Sequence, residues 1–172
     1  LAKKSHFWLM DKGSLEKEVS RSDETFITHM RQTYSESLPP IRASCEVMSL
    51  GLLSRLYENL GPMKTRSAIA GTYALNESTL ASWLRHLTVV RNTCAHHSRL
   101  WNRDFSVTPA VPGNKPLRLS SQWAANSRKI YNSFLIILHF LDQIAPAHTW
   151  RNELKTLIAN HNPNLKAMGW HG

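Results

Sequence analysis

Glycine is scarce, seven in 172 residues, and strand-like alternation of apolar and polar residues is nearly absent. Both speak against a sandwich or barrel, which needs many turns and a two-residue period. There are two cysteines, Cys45 and Cys94. Each sits in helix-like, apolar surroundings and reads as a buried thiol, so a disulfide framework is excluded and a cytoplasmic setting is expected. No signal peptide is recognisable in the residues given. The longest apolar run, Phe134-Leu135-Ile136-Ile137-Leu138, stops at His139. A membrane span needs about 20 apolar residues, so this run predicts a core helix and no membrane partner. Internal repeats and low-complexity tracts are also missing. Acidic residues are few, 12 against 21 Lys and Arg, leaving a formal charge of +9. Such a surplus favours a polyanionic partner such as RNA, DNA or an acidic protein.

Apolar residues recur every three or four positions, the helical period. The length suits one domain with a sizeable core, and the whole of 1–172 is read as one helical domain. A first helix is expected over 14–34, with Ser14 as its cap and Glu16 and Glu18 in its first turn. It is weak at Ser20-Arg21-Ser22-Asp23, where Asp23 offers a second cap. Pro39-Pro40 stops it. A second helix is expected over 41–60, ended by Gly61-Pro62, and a short third over 64–73. Asn76 or Ser78 caps a long fourth helix from 79 to at least 94. Residues 102–121, with Pro109, Pro112, Gly113 and Pro116, form an irregular connection, long enough to suggest a functional or mobile loop. A fifth helix over 122–144 and a sixth over 149–160 follow, and 162–172 reads as coil. The prediction is an all-α bundle of five to six helices, with the second, fourth and fifth forming the core.

The fourth helix carries a charge in an unexpected place. Leu80, Trp83, Leu84, Leu87, Val90 and Cys94 form one apolar stripe, and Arg91 completes the spacing 80, 84, 87, 91, 94, which puts Arg91 near the middle of the apolar face. An arginine there must be paired or face a cleft; a structural ion pair, or a side chain reaching back to the surface, is the plain alternative. A polar cluster follows: Asn92, His96, His97, Arg99, Asn102 and Arg103. Asn92 and His96 are four apart and share a face, so Asn92 can fix the imidazole's orientation or tautomer. Arg91 and His96 are five apart, about 140° around an ideal helix. One compact site then requires a long arginine reach, a helix that ends or kinks here, or two copies facing each other. Cys94, His96, His97 and His86 are metal-capable, yet their spacing matches no standard zinc pattern, and no metal or other cofactor is expected. Cys94 on the apolar stripe is too buried to serve as a nucleophile.

Arg91-Asn92-Thr93-Cys94-Ala95-His96 resembles the Rx4-6H signature of HEPN ribonucleases. The longer stretch from Val90 through Arg91-Asn92-Thr93-Cys94-Ala95-His96-His97-Ser98-Arg99-Leu100-Trp101-Asn102-Arg103 resembles the central motif of the Abi-like family (AbiD/AbiF type). Leu38-Pro39-Pro40, Glu46-Val47-Met48-Ser49-Leu50-Gly51 and Leu53-Ser54-Arg55-Leu56-Tyr57 are similar to another block of that family. So are Leu80-Ala81-Ser82-Trp83-Leu84 and the closing Met168-Gly169-Trp170. The resemblance spans about residues 25 to 170 and implies a HEPN-like helical domain, the C-terminal part of a longer protein.

By the same resemblance the chain is expected to act in phage defence by abortive infection, as a metal-independent endoribonuclease. His96 is the expected general base or acid, Arg91 the phosphate holder, and Asn92 the residue that orients His96 or binds a phosphate oxygen. His97, Arg99 and Arg103 are expected to grip RNA, and Trp101 to stack on a base unless it is a core or interface aromatic. Lys64, Arg66, Lys3 and Lys4 extend a basic surface or are simply solvated. The resemblance also implies a homodimer with a composite site, and an antitoxin or regulatory RNA as further partner. Three other readings remain: a non-catalytic HEPN module binding RNA or a protein, a metal-dependent hydrolase using His86, His96 and His97, and a structural interaction domain.

Overall fold

The computed structural model describes residues 5–113 and 117–170; Lys3, Lys4 and Pro116 lie outside them. The fold is all-α, with ten helices and no strand among the described residues. There are more helices than expected because the long predicted ones are divided and two short ones are added. The chain forms two compact units, Leu1–Arg66 and Ser67–Gly172, described in turn.

In the first unit α1 (Ser5–Ser20) begins before the expected start, and α2 (Thr25–Thr33) follows the break foreseen around Ser20. Ser14 is therefore not a cap. It lies inside α1, where its hydroxyl donates to the Met10 carbonyl (3.0 Å), the usual outlet for a mid-helix serine. Asp23 does not cap α2 either; the capping position is Glu24, with no side-chain bond. The reversal between the helices is held instead by Arg31, whose guanidinium donates to the carbonyls of Val19 and Ser22.

The second predicted helix is also two: α3 (Ile41–Val47) and α4 (Leu50–Asn59). The division comes from Ser49. Its hydroxyl caps α4 by accepting from the Leu52 N–H (3.2 Å), and both its N–H and its hydroxyl donate to the Glu18 carboxylate (2.7 Å each). At the other end of α4, Asp11 accepts from Asn59 Nδ2 (2.9 Å) and Arg55 Nε (3.3 Å). Two acids on α1 thus hold both ends of α4, which sets the helices antiparallel. Between them Leu15, Val19, Ile27 and Leu52 are buried, flanked by Leu38, Val47, Met48 and Leu56.

The boundary between units falls within α5 (Met63–Gly71). The second unit continues through α6 (Glu77–Ala95), α7 (Leu117–Gln122), α8 (Tyr131–Ile144), α9 (Trp150–His161) and α10 (Leu165–Met168). Asn76 caps α6, accepting from the Thr79 N–H (2.7 Å). α6 packs on α8 through fully buried Trp83, which stacks on Trp123 at 5.7 Å and meets His139 and Phe140 edge-on. Of the expected core of second, fourth and fifth helices, each part is found within its own unit. The second predicted helix packs on α1 in the first unit, and the fourth and fifth pack on each other in the second.

α8 starts nine residues later than the expected 122, at Tyr131. The intervening backbone is held open by Asn132, whose amide accepts from the Ala124 N–H (3.1 Å) and donates to the Ala124 carbonyl (2.9 Å). The irregular connection is anchored rather than loose. Phe105, Pro109 and Pro112 are buried. Trp83 Nε1 donates to the Ala110 carbonyl (2.9 Å), and the Ala110 N–H donates to Ser82 Oγ (2.8 Å). The tail, expected as coil, forms α10 and buries Met168.

Candidate functional site

The buried line of α6 runs through Leu80, Trp83, His86, Val90 and Thr93. Of the predicted stripe, Leu80, Trp83 and Val90 lie on this line, Leu84 and Leu87 are half-buried, and Arg91 and Cys94 are exposed, so the buried face is turned away from its Arg91 edge. The cause is His86, which the sequence reading placed among polar candidates. It is 1 % exposed. Its Nδ1 lies 2.6 Å from the Val107 carbonyl and its Nε2 2.7 Å from Ser133 Oγ. A carbonyl can only accept, so Nδ1 carries the hydrogen and Ser133 donates to Nε2. With both nitrogens satisfied, a histidine fits the core. Burial pushes its pKa below 6.5, against the Val107 bond, which raises it. Phe105 packs edge-on against the ring at 5.5 Å.

That rotation carries Arg91 out of the apolar face. Arg91 is exposed, and so are Asn92, Cys94, His96, His97, Arg99, Trp101 and Arg103. The burial expected of Arg91 is therefore corrected, and no buried ion pair needs explaining. Cys94 and Cys45 are exposed free thiols rather than buried ones. Arg91 Nη1 donates to Asn92 Oδ1 (3.1 Å), so in this state the Asn92 amide engages the guanidinium. Its backbone carbonyl accepts from the His96 N–H (3.0 Å).

The helix ends at this point, and no contact joins the Arg91 and His96 side chains among the described hydrogen bonds. His96 is the C-cap of α6. His97 takes a left-handed conformation, φ 51°. Its N–H bonds the Cys94 carbonyl (2.9 Å), and the Ser98 N–H bonds the Thr93 carbonyl (3.0 Å). This paired closure usually carries glycine at the left-handed position; here a histidine holds it. The chain then leaves the axis, turns at Leu100-Trp101-Asn102-Arg103 with an N–H···O bond from Arg103 to Leu100 (3.2 Å), and re-enters the core at Phe105. Asn102, also left-handed at φ 51°, suits that turn, because asparagine tolerates this region.

A helix C-terminus carries partial negative charge, so attraction for a phosphate must come from side chains. Residues 78–141 contain a single acid, Asp104, and it is ion-paired with Lys129 (3.0 Å). Arg91, Arg99 and Arg103 therefore stand on a surface with no free carboxylate nearby in sequence. Lys64 is exposed and Arg66 half-buried in the other unit. His86, His96 and His97 do not converge, since both His86 nitrogens are engaged in the core. Among the described residues no three metal-capable side chains are grouped. A cleft of about 770 Å³ lies in the first unit between α1, α2 and residues 34–40. Arg91, Arg99 and Arg103 do not line that cleft and are exposed.

Sequence reasoning named His86 only as metal-capable and missed its core role, and it missed Ser133 and Lys129 altogether. The spacing Trp83, His86, Val90, Thr93 was the available signal for the first. Nothing in a single sequence points to the other two.

A family model for Abi-like protein matches residues 2–102. No curated protein and no solved structure matches the chain. The matched stretch exceeds half of the 172 residues and includes Arg91, Asn92 and His96. The chain belongs to the Abi-like family, which points to a role in abortive infection. No described helix is long and apolar enough to cross a membrane.

Proposed function

We propose that this Abi-like chain is a metal-independent, HEPN-type endoribonuclease of a cytoplasmic phage-defence system. The observation that carries the reading is the end of α6. There Arg91, Asn92, His96 and His97 are all solvent-accessible, within a segment whose only acid is neutralised by Lys129. RNA supplies its own nucleophile. The 2′-hydroxyl attacks the adjacent phosphorus, an imidazole takes the hydroxyl proton, and a proton is returned to the departing 5′-oxygen. The products are a 2′,3′-cyclic phosphate and a 5′-hydroxyl end. Arg91 holds the non-bridging oxygens and offsets the charge that gathers on them. Asn92 switches its amide from Arg91 to the phosphate or to His96. His97, Arg99 and Arg103 grip the flanking backbone, and Trp101, 41 % exposed, offers a stacking face for a base.

One chain supplies one His96, whereas the reaction needs both a base and an acid. A homodimer in which two α6 ends share a groove provides both, and brings Arg91 of one copy toward His96 of the other. An antitoxin or regulatory RNA would restrain such a groove by covering it.

The test incubates purified protein with single-stranded RNA in EDTA, beside Arg91→Ala and His96→Ala. The native chain should leave cyclic phosphate ends, and each variant should lose at least about 100-fold in rate. DNA of the same sequence should survive, because it lacks the 2′-hydroxyl. RNA binding without cleavage by any version would establish the alternative, a non-catalytic RNA-binding module.

A further inference from the structure

The segment that follows His96 carries Trp101 and Arg103 on an exposed turn, and something must fix that turn if it is to meet RNA in one geometry. Lys129 lies just before α8, with its side chain three-quarters buried. Its ammonium donates to the Asn102 carbonyl (3.2 Å) and pairs with Asp104 (3.0 Å). It therefore grips the turn on both sides of Arg103. The neighbouring Arg128 repeats the attachment one step on: its Nε donates to the Phe105 carbonyl (3.0 Å), and its carbonyl accepts from the Phe105 N–H (2.9 Å).

Lys129 is in turn backed by the C-terminal element. Gly169 has φ +94°, and a Cβ placed there would stand 2.7 Å from Lys129 Cβ and also overlap Ser127 Oγ. Only glycine lets the backbone after α10 lie flush against the lysine stem.

We infer that Lys129 is a positioning residue for the RNA-gripping turn at 100–104, with Gly169 as its backstop. The inference rests on the proposed RNA-directed function. Lys129 acts through Asn102 and Asp104, so its loss should weaken the grip on RNA and leave the chemistry at His96 unchanged.

The experiment compares Lys129→Met, Lys129→Arg and Asp104→Ala with the native chain on single-stranded RNA. Lys129→Met should raise KM about tenfold with kcat within about twofold, and Lys129→Arg should restore most of the loss. Asp104→Ala separates positioning from plain charge. It makes the protein more positive, so a charge effect alone would tighten RNA binding, whereas loss of positioning weakens it. Amide exchange at 100–105 should quicken in Lys129→Met and Asp104→Ala while α8 stays protected. An unchanged KM in Lys129→Met, or tighter RNA binding by Asp104→Ala, overturns the inference. If the native chain binds RNA without cutting it, the nuclease reading fails and Kd replaces KM, with the same pattern among variants deciding. If it binds no RNA, both readings fall together.

Discussion

His86 shares its two nitrogens between the Val107 carbonyl and Ser133, and so joins the irregular connection to α6 and α8. Replacing it by phenylalanine strands the buried Ser133 hydroxyl and the half-buried Val107 carbonyl, a buried group costing about 1–3 kcal/mol when left unpaired. Urea denaturation of His86→Phe should therefore show a loss of about 3 kcal/mol. The same residue gives stability a pH dependence. Burial holds its folded pKa below 6.5, so the unfolded chain takes up the proton first as pH falls. Its contribution is complete above about 6.5 and declines as pH drops from there through the folded value. Native protein should be less stable at pH 5.5 than at 7.5, and the difference should shrink in His86→Phe. Gly169 behaves differently: Gly169→Ala meets both a left-handed backbone and Lys129, and should lower stability by more than about 1 kcal/mol.

Among the elements, the α1–α4 pair shows how polar residues set helix boundaries that apolar periodicity does not reveal. Ser49 satisfies the orphaned Leu52 N–H of α4, and Glu18 anchors Ser49 to α1. Ser49→Ala should cost about 1 kcal/mol in chemical denaturation, the usual value of a lost cap. Lys12→Ala, which removes only the exposed i,i+4 pair with Glu16 (3.6 Å), should change stability by less than about 0.5 kcal/mol. Equal losses in the two variants would mean that Ser49 does not organise α4.

For the molecule as a whole, the charge of +9 makes RNA affinity a function of salt. Each phosphate neutralised on a single strand contributes about 0.7 to the slope of log K against log salt. Arg99→Ala should flatten that slope by about this amount if Arg99 contacts a phosphate, and leave it unchanged if Arg99 is merely solvated. Sedimentation of the native chain at high micromolar concentration should show a dimer. A monomer under those conditions would remove the two-copy site and its division of labour between two His96 side chains.

The sequence by itself determined the helical class, from a 3.6-residue period with few glycines, and the membership of its family, from the run between Val90 and Arg103 and the blocks around it. It also named the residues of the candidate site, because their types and order are local facts. It placed Arg91 on the wrong face, because a wheel ranks side chains by polarity and cannot know that His86 finds two partners from distant parts of the chain. It merged α3 with α4 and extended α8 backward, because Glu18 and Ala124, which help to fix those boundaries, are remote in sequence from Ser49 or hidden in a side-chain clasp. Only the tertiary structure decided that Arg91 and Cys94 are exposed, that α6 ends at His96, and that Lys129 secures the turn beyond it. The first follows from His86 finding its partners Val107 and Ser133, and the last from bonds between Lys129 and the sequence-distant Asn102 and Asp104. The end at His96 is instead closed locally, by a histidine at a left-handed position that usually carries glycine.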